Sequence, residues 1–242
     1  MKSCWNVDLG LIGYAEAYAL QKRVVAARKA DGIGDVLLLC EHAPVITQGR
    51  NGKREHLLVS ENVLRQRNVQ FYETSRGGDV TYHGPGQLVG YPILNLGAIR
   101  KDVVWYVRML EEVMIQTTAE FGIGANRVEG KTGIWVPVAN SPEEKLGAIG
   151  VHISRWVTSH GFAYNVATDL RNFDLIVPCG IAGRKATSLE RLLGRTVNAR
   201  EVAPRIVKHF GEVFGLEMQE SPREAFFEKL EEAEQVDEVT VS

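Results

Sequence analysis

The stretch 76–87 reads Arg76-Gly77-Gly78-Asp79-Val80-Thr81-Tyr82-His83-Gly84-Pro85-Gly86-Gln87, and the apolar run 88–94 follows it directly. Its four glycines allow sharp turns and let a ligand approach the main chain closely, and Gly84-Pro85-Gly86 is typical of a tight turn. The apolar run indicates a buried strand. The sequence therefore predicts a polar glycine loop at the edge of a sheet, which is either a ligand-binding loop or a simple connection between strands.

The composition is that of one globular domain. The chain has 242 residues, of which 45% are hydrophobic, so we expect a single domain over 1–242 with a large core. The formal net charge of −2 does not point to a nucleic-acid or membrane partner, and no apolar run reaches the ~18 residues of a membrane-spanning helix. Three cysteines without a Cys-x-x-Cys pair argue against a disulfide framework or a zinc finger, and favour a reducing cytoplasm.

Helix and strand patterns interleave along the chain. Alanine and long side chains predict a helix over Tyr14–Lys29, and apolar residues at spacings of three and four predict an amphipathic helix over 102–121. The apolar run 36–40 predicts a buried strand. Interleaved elements of both kinds predict the α/β class, with a central mixed β-sheet flanked by helices.

The second half of the chain continues the same pattern. The segments 145–153 and 156–166 are typical of a hairpin that turns at Ser154-Arg155. Helix start signals follow at Thr187-Ser188, at Asn198 and at Ser221. The last of these opens an acidic helix or tail over 221–242.

The three cysteines differ in their surroundings. Cys40 lies within an apolar run and is expected in the core, whereas Cys4 lies in a polar terminal stretch with no evident partner. Cys179 follows the short apolar run 175–178, which predicts a strand that ends in a loop at the cysteine, and the nearby cations Arg184 and Lys185 favour thiolate over thiol. Cys179 is therefore either a presented nucleophile or a packed thiol.

A cysteine nucleophile needs a nearby base or cation, because only a few per cent of an ordinary thiol is ionised at neutral pH. The sequence offers His83, His160 and Lys145 as helpers. An apolar strand pattern follows Lys145, and a dry pocket would favour the neutral amine there. A solvated surface lysine at the start of a strand is the alternative.

Several segments match a known family in the right order. The loop supplies Arg76-Gly77-Gly78, Thr81-Tyr82-His83 and Pro85-Gly86-Gln87. Three further segments belong to the match. The first is Glu41-His42-Ala43-Pro44-Val45, and the second is Lys145-Leu146-Gly147-Ala148-Ile149-Gly150-Val151 together with the hairpin strand that follows it. The third is Pro178-Cys179-Gly180-Ile181. These segments resemble the motifs of the octanoyl-carrier-protein:protein octanoyltransferases, the lipoate–protein ligase B family. The resemblance runs from about Tyr14 to Phe214, and an insert over 137–144 departs from it.

The resemblance implies a fold and a site. The fold would be the catalytic domain shared by biotin and lipoate protein ligases. Cys179 would accept the acyl group with Lys145 as its catalytic partner, and His83 would either line the acyl pocket or brace the loop by a hydrogen bond. No metal or other cofactor is implied. The substrate-binding residues would be Arg76, Gly77, Gly78, Asp79, Val80, Thr81, Tyr82, His83, Ala148, Ile149, Gly150, Gly161, Phe162 and Ala163.

The resemblance also implies an activity and its partners. It implies transfer of an octanoyl group from acyl carrier protein to a lipoyl-domain lysine through a Cys179 thioester, the first step of endogenous protein lipoylation. The acceptors would be lipoyl domains of 2-oxoacid dehydrogenase E2 subunits and the H protein of glycine cleavage. The protein would act as a cytoplasmic monomer with no nucleic-acid or membrane partner. The chain lacks a Gly-x-x-x-x-Gly-Lys-[Ser/Thr] phosphate loop, in keeping with transfer that needs no ATP.

Other functions stay open on the same residues. The chain could be an ATP-dependent lipoate or biotin protein ligase, or an amidotransferase that moves the group between lipoyl domains through the same cysteine. A non-catalytic fatty-acyl-binding protein is an alternative of another class. The presence of both Cys179 and Lys145 argues against the ligase and the binding protein.

One stretch of the chain is basic. Between residues 180 and 210 it carries two acidic residues against seven basic ones. These cations either steer two acidic protein partners or form ordinary solvated helix faces. The basic residues are Arg184, Lys185, Arg191, Arg195, Arg200, Arg205 and Lys208.

Overall fold

The computed structural model describes residues 2–138, 141–177 and 185–241, and their side chains except those of 141 and 237–241. The strands are β1 (Lys2–Ile12), β2 (Asp35–His42), β3 (Val45–Gln48), β4 (Gln70–Glu73), β5 (Val80–His83), β6 (Gln87–Ile93), β7 (Asn126–Val128), β8 (Lys131–Val138), β9 (Ser141–Ser154), β10 (Val157–Asn165) and β11 (Leu216–Glu220). The α-helices are α1 (Tyr14–Lys29), α2 (Glu61–Gln66), α3 (Val103–Ala119), α4 (Leu189–Leu193), α5 (Ala199–Phe214) and α6 (Arg223–Val241). Short 3-10 helices span Arg54–His56, Leu96–Ala98 and Leu170–Leu175.

The main sheet has eight strands in the order β11-β1-β2-β6-β10-β9-β8-β7. Its β1 runs parallel to both β2 and β11, whereas the pairs from β2 onward are antiparallel. A second, three-stranded sheet has the order β4-β3-β5. The predicted class, a mixed sheet flanked by helices, is confirmed.

Side-chain alternation along the central strands divides the core into two layers. On β2, Leu37 and Leu39 pack on the face covered by α3 and α5. Val36, Leu38 and Cys40 point to the opposite face, which α1 and α6 cover. Because both faces are buried, β2 is a continuous apolar run in the sequence.

The small sheet has a core cluster of its own. Tyr82 and Val80 on β5 pack there with Ile46 on β3. Leu175 and Ile176 join the same cluster, so the chain just before residue 178 is fixed against the small sheet.

The local predictions agree with the structure where short-range signals are strong. The helix α1 has the predicted bounds. The helix α3 begins at its predicted N-cap, because the Asp102 side chain accepts a hydrogen bond from the Trp105 N–H at 2.9 Å. Gly194 ends α4 in the left-handed conformation with φ of 64°.

Three local expectations need correction. The hairpin turns at Arg155 and Trp156, both with positive φ, and not at Ser154. Residues 175–177 end a 3-10 helix and form one isolated bridge, so they are not a strand. Cys4 is fully buried in the core, because β1 lies inside the sheet.

Candidate active site

A cavity of about 580 Å³ opens where β5, β9 and β10 meet the loop before β5. The structure brings together there nearly all the residues proposed for the site. The proposed residues that line it are Arg76, Gly77, Gly78, Asp79, Val80, Thr81, His83, Lys145, Ala148, Ile149, Gly150, Gly161, Phe162 and Ala163.

Two proposed residues are not among the lining groups. Tyr82 alternates with Thr81 and His83 on β5, so its ring points into the cluster beneath the small sheet. There its ring contacts Phe173, and its hydroxyl accepts a hydrogen bond from Asn172 at 3.1 Å. Cys179 lies outside the described residues.

Hydrogen bonds hold the glycine segment 76–79 against its neighbours. The Gly77 N–H donates to the Val151 carbonyl at 2.8 Å, and the Asn51 N–H donates to the Gly78 carbonyl at 3.1 Å. A Cβ on Gly150 would stand 3.0 Å from the Gly77 oxygen. Glycine at residue 150 therefore lets β9 and the glycine segment approach closely enough to form the cavity wall.

Arg76 places a buried cation beside the cavity. The residue is 7% exposed. The guanidinium donates to the Thr47 carbonyl at 2.6 Å and to the Thr47 hydroxyl at 3.0 Å. These bonds fix the guanidinium in one orientation, so it presents a fixed positive charge to the cavity.

Two cavity histidines are electrically neutral. Burial is the main reason that the pKa of His83 falls to about 3, and the neighbouring His42 lowers it further. Burial is also the main reason that the pKa of His160 falls to about 3, and the positive charge of Arg76 lowers it further. Neither ring therefore carries charge at neutral pH.

His83 both lines the cavity and braces its loop. Its Nδ1–H donates to the Gln87 side-chain oxygen at 2.7 Å. The Gln87 amide donates in turn to the Asn165 side chain at 2.8 Å, and the Asn165 amide donates to the Thr187 carbonyl at 3.0 Å. Since the Thr187 N–H donates to the Lys145 carbonyl at 2.9 Å, a chain of hydrogen bonds links His83 to the main chain of Lys145.

Lys145 is half-buried on β9 and lies over an indole ring. Its Nζ is 4.6 Å from the centroid of the Trp135 ring. Lys131 approaches the same ring, with its Nζ 5.7 Å from the centroid. Trp135 is itself 1% exposed, so two ammonium groups of the cavity are positioned by one buried aromatic face.

The strands β8 and β9 separate beside these lysines. The ladder between them begins at the pair Val138 and Ser141. It ends at the pair Ile134 and Gly147. The N–H of Gly133 donates instead to the buried Glu111 carboxylate of α3 at 3.0 Å. Residues 130–132 and 148–151 therefore face each other across the cavity and not across a sheet ladder.

The chain on both sides of residues 178–184 is fixed by described residues. Upstream, the Val177 N–H donates to the His56 carbonyl at 2.8 Å. Downstream, the Lys145 N–H donates to the Lys185 carbonyl at 2.9 Å, and residues 145 and 186 form a parallel bridge. The described chain thus resumes at Lys185, directly beside Lys145.

The structure adds lining residues that sequence reasoning missed. Lys131 and Thr132 stand in the short stretch Gly130-Lys131-Thr132-Gly133, whose glycines were a signal that could have been used. Tyr14 lies at the start of α1 and forms ring contacts with His42, Tyr72 and His83. The other lining residues outside the proposed set are Asn51, Val89, Tyr91, Val103, Val107, Gly130, Val151 and His160.

The basic stretch 180–210 is largely paired within the chain. Arg195 contacts Glu201 at 2.8 Å. Arg205 and Lys208 both contact Glu120, at 3.0 and 2.8 Å. Arg191 contacts Glu144 at 3.5 Å. This internal neutralisation weakens the proposal that the stretch steers acidic partners.

Within 2–138, 141–177 and 185–241 no group of three or more His, Cys, Asp or Glu side chains is arranged to hold a metal ion. No helix in that part of the chain is long and apolar enough to cross a membrane.

Residues 13–211 match the family model described as the lipoyl protein ligase A/B catalytic domain. This chain belongs to that family. An octanoyltransferase of Acidobacterium capsulatum is 52% identical over 219 residues, which cover 86% of this chain and 89% of that protein. An octanoyltransferase of Caldicellulosiruptor bescii is 47% identical over 230 residues, which cover 94% of this chain and 99% of that protein.

Solved structures of more distant proteins share the fold. A chain from the structure of a bipartite archaeal lipoate protein ligase and its E2 lipoyl domain, from Thermoplasma acidophilum, superposes with a TM-score of 0.75. It is 16% identical, and the match covers 96% of this chain and 91% of that one. This likeness confirms the expected ligase-type catalytic fold.

Proposed function

We propose that this chain transfers an octanoyl group from a carrier-protein thioester to the lysine of a lipoyl domain, through a thioester on Cys179. The octanoyltransferase activity in protein lipoylation rests on the family match over 13–211 and on named relatives at about half identity, such as that at 52%. The chain is an acyltransferase. The family match does not extend to the carrier donor, the acceptor domains or the thioester, which are therefore proposed.

The observation that carries the thioester route is the position of Lys145. It lines the same cavity as the glycine segment and is hydrogen-bonded through its main chain to the residues directly after the Cys179 segment. The other two cysteines are unsuited to nucleophilic attack, because both are buried and burial raises the pKa of each thiol. These observations support Cys179 as the acyl acceptor.

The first step exchanges one thioester for another. The Cys179 thiolate attacks the octanoyl carbonyl carbon, a new S–C bond forms, and the S–C bond to the carrier breaks. The Lys145 ammonium stabilises the thiolate before attack and gives a proton to the departing carrier sulfur. This exchange leaves octanoyl-Cys179 and a neutral Lys145 amine, and it needs no energy input from ATP.

The second step forms the amide. The lipoyl-domain amine attacks the Cys179 thioester, an N–C bond forms, and the Cys179 S–C bond breaks to restore the thiolate. Lys145 accepts the proton that the attacking nitrogen loses, so the ammonium–thiolate pair is regenerated. A reducing cytoplasm suits this route, because Cys179 must return to a free thiol in every cycle.

One experiment tests the route. We expect protein mixed with octanoyl-carrier protein, without ATP, to gain one octanoyl group by intact mass and to lose it when a lipoyl domain is added. Cys179→Ala should abolish the adduct, whereas the matched control Cys4→Ala should retain it.

Two outcomes would contradict the route. Transfer that requires ATP and Mg²⁺ and survives Cys179→Ala would indicate a ligase. Reversible octanoate binding without any covalent adduct would indicate a fatty-acyl-binding protein.

A further inference from the structure

The main chain of Ile149 forms part of the cavity wall on β9. The direction of its N–H depends on how β9 pairs with β10. Antiparallel strands alternate between residue pairs that exchange two hydrogen bonds and pairs that exchange none. In a pair of the second kind, the N–H and C=O groups of both residues point away from the partner strand. Hydrogen bonds at a neighbouring pair of the same ladder therefore fix the direction of the Ile149 N–H.

Two hydrogen bonds indicate that Val151 and His160 form a pair of the second kind. The His160 N–H donates to the Gln21 side-chain oxygen at 2.9 Å, and the Val151 carbonyl accepts from the Gly77 N–H at 2.8 Å. Ile149 lies two residues before Val151 in the same ladder, so it also belongs to a pair of this kind. Its N–H and C=O therefore point away from β10.

On the side away from β10, the ladder with β8 ends before it reaches Ile149. Its last pair is Ile134 and Gly147, and a Cβ on Gly133 would lie 2.4 Å from the Gly147 oxygen. The main-chain groups of Gly147 thus face β8, and those of Ile149, two residues on, face the cavity at the same side. Among the described residues, the Ile149 main chain makes no hydrogen bond on that side. It therefore presents an N–H donor to the cavity.

Other main-chain N–H groups around the cavity already have acceptors in the chain. The Gly133 N–H donates to a buried carboxylate of α3 at 3.0 Å, and the Gly77 N–H donates to a carbonyl of β9 at 2.8 Å. The Lys145 N–H donates to the Lys185 carbonyl at 2.9 Å. These donors are not available to a substrate, whereas that of Ile149 is.

Ile149 and Lys145 lie close enough to contact one thioester group together. The β8–β9 ladder leaves one extra residue on β9 between Lys145 and Gly147, so Ile149 lies about three regular strand steps, roughly 10 Å, from Lys145. A lysine side chain covers about 6 Å of that span. The ammonium can thus contact the sulfur of a thioester while the Ile149 N–H contacts its carbonyl oxygen.

We propose that the main-chain N–H of Ile149 donates to the acyl carbonyl oxygen and stabilises the oxyanion of both transfer steps. This inference rests on the proposed function for the identity of the acyl group. The carbonyl oxygen is the one polar atom of an octanoyl group, and it can only accept a hydrogen bond. Negative charge builds on it as the thiolate or the amine attacks the carbonyl carbon, and a fixed donor stabilises that charge most.

Replacing one backbone amide by an ester tests the assignment without changing a side chain. The hydroxy-acid analogue of isoleucine, placed at residue 149 by nonsense suppression, removes the N–H and retains the side chain. We expect acylation of Cys179 by octanoyl-carrier protein, read by quenched-flow intact mass, to slow about 10²-fold or more. The protein should fold, because this N–H belongs to neither ladder.

The same replacement at Val151 is the matched control. Its N–H points to the same side of β9 but lies two residues further from Lys145, roughly 7 Å beyond that of Ile149. Each ester also weakens one ladder carbonyl, that of the preceding residue, so the two variants should lose similar stability in urea titrations. The Val151 ester should acylate Cys179 at close to the wild-type rate. Equal slowing by both esters, or a wild-type rate in the Ile149 ester, would overturn the assignment.

Infrared spectroscopy of the acyl-enzyme measures the hydrogen bond directly. The octanoyl group is labelled with ¹³C at the carbonyl, so that its stretch is separated from those of the protein. The stretch should lie at higher frequency in the Ile149 ester than in wild type, because loss of a donor leaves the C=O bond less polarised. The Val151 ester should keep the wild-type frequency. An unchanged frequency in the Ile149 ester would refute the assigned donor even if the rate falls.

Separate outcomes bear on the proposed function. Transfer by the wild-type protein without any Cys179 adduct would refute the thioester route. Slower transfer by the Ile149 ester alone would then still support the donor, because direct attack on the carrier thioester builds charge on the same oxygen. Adduct formation at the wild-type rate in the Ile149 ester would leave the route standing and refute the donor.

Discussion

At the scale of single residues, the cavity combines a fixed cation with neutral imidazoles. Arg76 is held by Thr47, and its charge adds to the burial that keeps His160 neutral. His83 donates its Nδ1–H to Gln87, a bond that a neutral ring can make. The histidines thus shape and brace the cavity, and on the proposed route it is Lys145 that moves protons.

The buried imidazoles predict a loss of stability in mild acid. An unfolded histidine has a pKa near 6.5, whereas His83 and His160 titrate at about 3 in the folded chain. The unfolded state therefore binds more protons as pH falls below about 6.5, which favours unfolding until pH reaches the folded value. At pH 5 we expect each histidine to lower the free energy of unfolding by about 2 kcal/mol relative to pH 7.

Urea unfolding at the two pH values checks this prediction. The variant His83→Gln removes one titrating ring, so its loss of stability between pH 7 and pH 5 should be about 2 kcal/mol smaller than that of wild type. An equal loss in both proteins would show that His83 is not held neutral.

Lys145 is expected to be essential to turnover. Lys145→Ala should lower the rate of transfer at least ~10²-fold, as is typical for a positioned acid–base group, while Lys53→Ala on the exposed surface should not. Lys145→Arg keeps the positive charge but cannot accept a proton. Because a guanidinium does not give up its proton either, this variant should be slow both in forming the acyl-enzyme and in transferring the acyl group, as read by single-turnover intact mass. Unchanged turnover in Lys145→Ala would remove this residue from the mechanism.

At the scale of elements, the helix α3 supplies the hydrogen-bond acceptor for β8 at the point where its pairing with β9 ends. Glu111 is 1% exposed, accepts the Gly133 N–H, and contacts both Arg108 and Arg127. Gly133 has φ of 110°, and a Cβ there would lie 2.4 Å from the Gly147 oxygen. The buried Glu111 carboxylate thus satisfies an N–H of β8 beyond the last ladder pair, and glycine at residue 133 allows the close approach to Gly147 there.

Neighbouring glutamates on α3 give a matched test of this carboxylate. Glu111→Ala leaves the buried Gly133 N–H without its acceptor, whereas Arg108 and Arg127 are partly exposed and can be solvated, so we expect a loss of about 1–3 kcal/mol in the free energy of unfolding. Glu112 also contacts Arg127 but is 31% exposed by side chain, and Glu112→Ala should cost less than about 1 kcal/mol. Equal costs in denaturant titrations would contradict the assigned role of Glu111.

At the scale of the whole molecule, the acidic C-terminal helix belongs to the core. Phe226 and Leu230 on α6 are fully buried against β1 and α1, and Arg23 of α1 pairs with Glu234 at 2.7 Å. The segment therefore closes one face of the sheet while its acidic residues face outward.

Removing one ring of α6 should destabilise the domain and leave the site intact. Phe226→Ala is expected to lower the free energy of unfolding by about 3–5 kcal/mol, and its half-buried neighbour Phe227→Ala by about 1–2 kcal/mol. Transfer rates of the folded variants, measured well below their unfolding midpoints, should match wild type. A Phe226→Ala protein as stable as wild type would show that α6 is a detachable tail.

Sequence patterns predicted the elements that local signals determine. The helix α1, the strand β2 and the hairpin β9–β10 each follow from spacing within a few residues. Other features depend on distant parts of the chain. Burial of Cys4 requires β1 to lie between β2 and β11, and the hydrogen bond at the end of the β8–β9 ladder requires Glu111 to reach Gly133. Most lining residues were identified through family motifs, whereas Lys131 was missed because its approach to Trp135 depends on tertiary packing.

The shared position of Lys131 and Lys145 over Trp135 has a practical consequence. An indole's emission wavelength responds to the electric field across its ring, and here two positive charges lie within 5.7 and 4.6 Å of the ring centroid. Any acyl group, proton transfer or bound protein that shifts either charge should change that fluorescence. In a variant in which Trp5, Trp105 and Trp156 are replaced by phenylalanine, the emission of Trp135 would report such changes in real time without an attached dye.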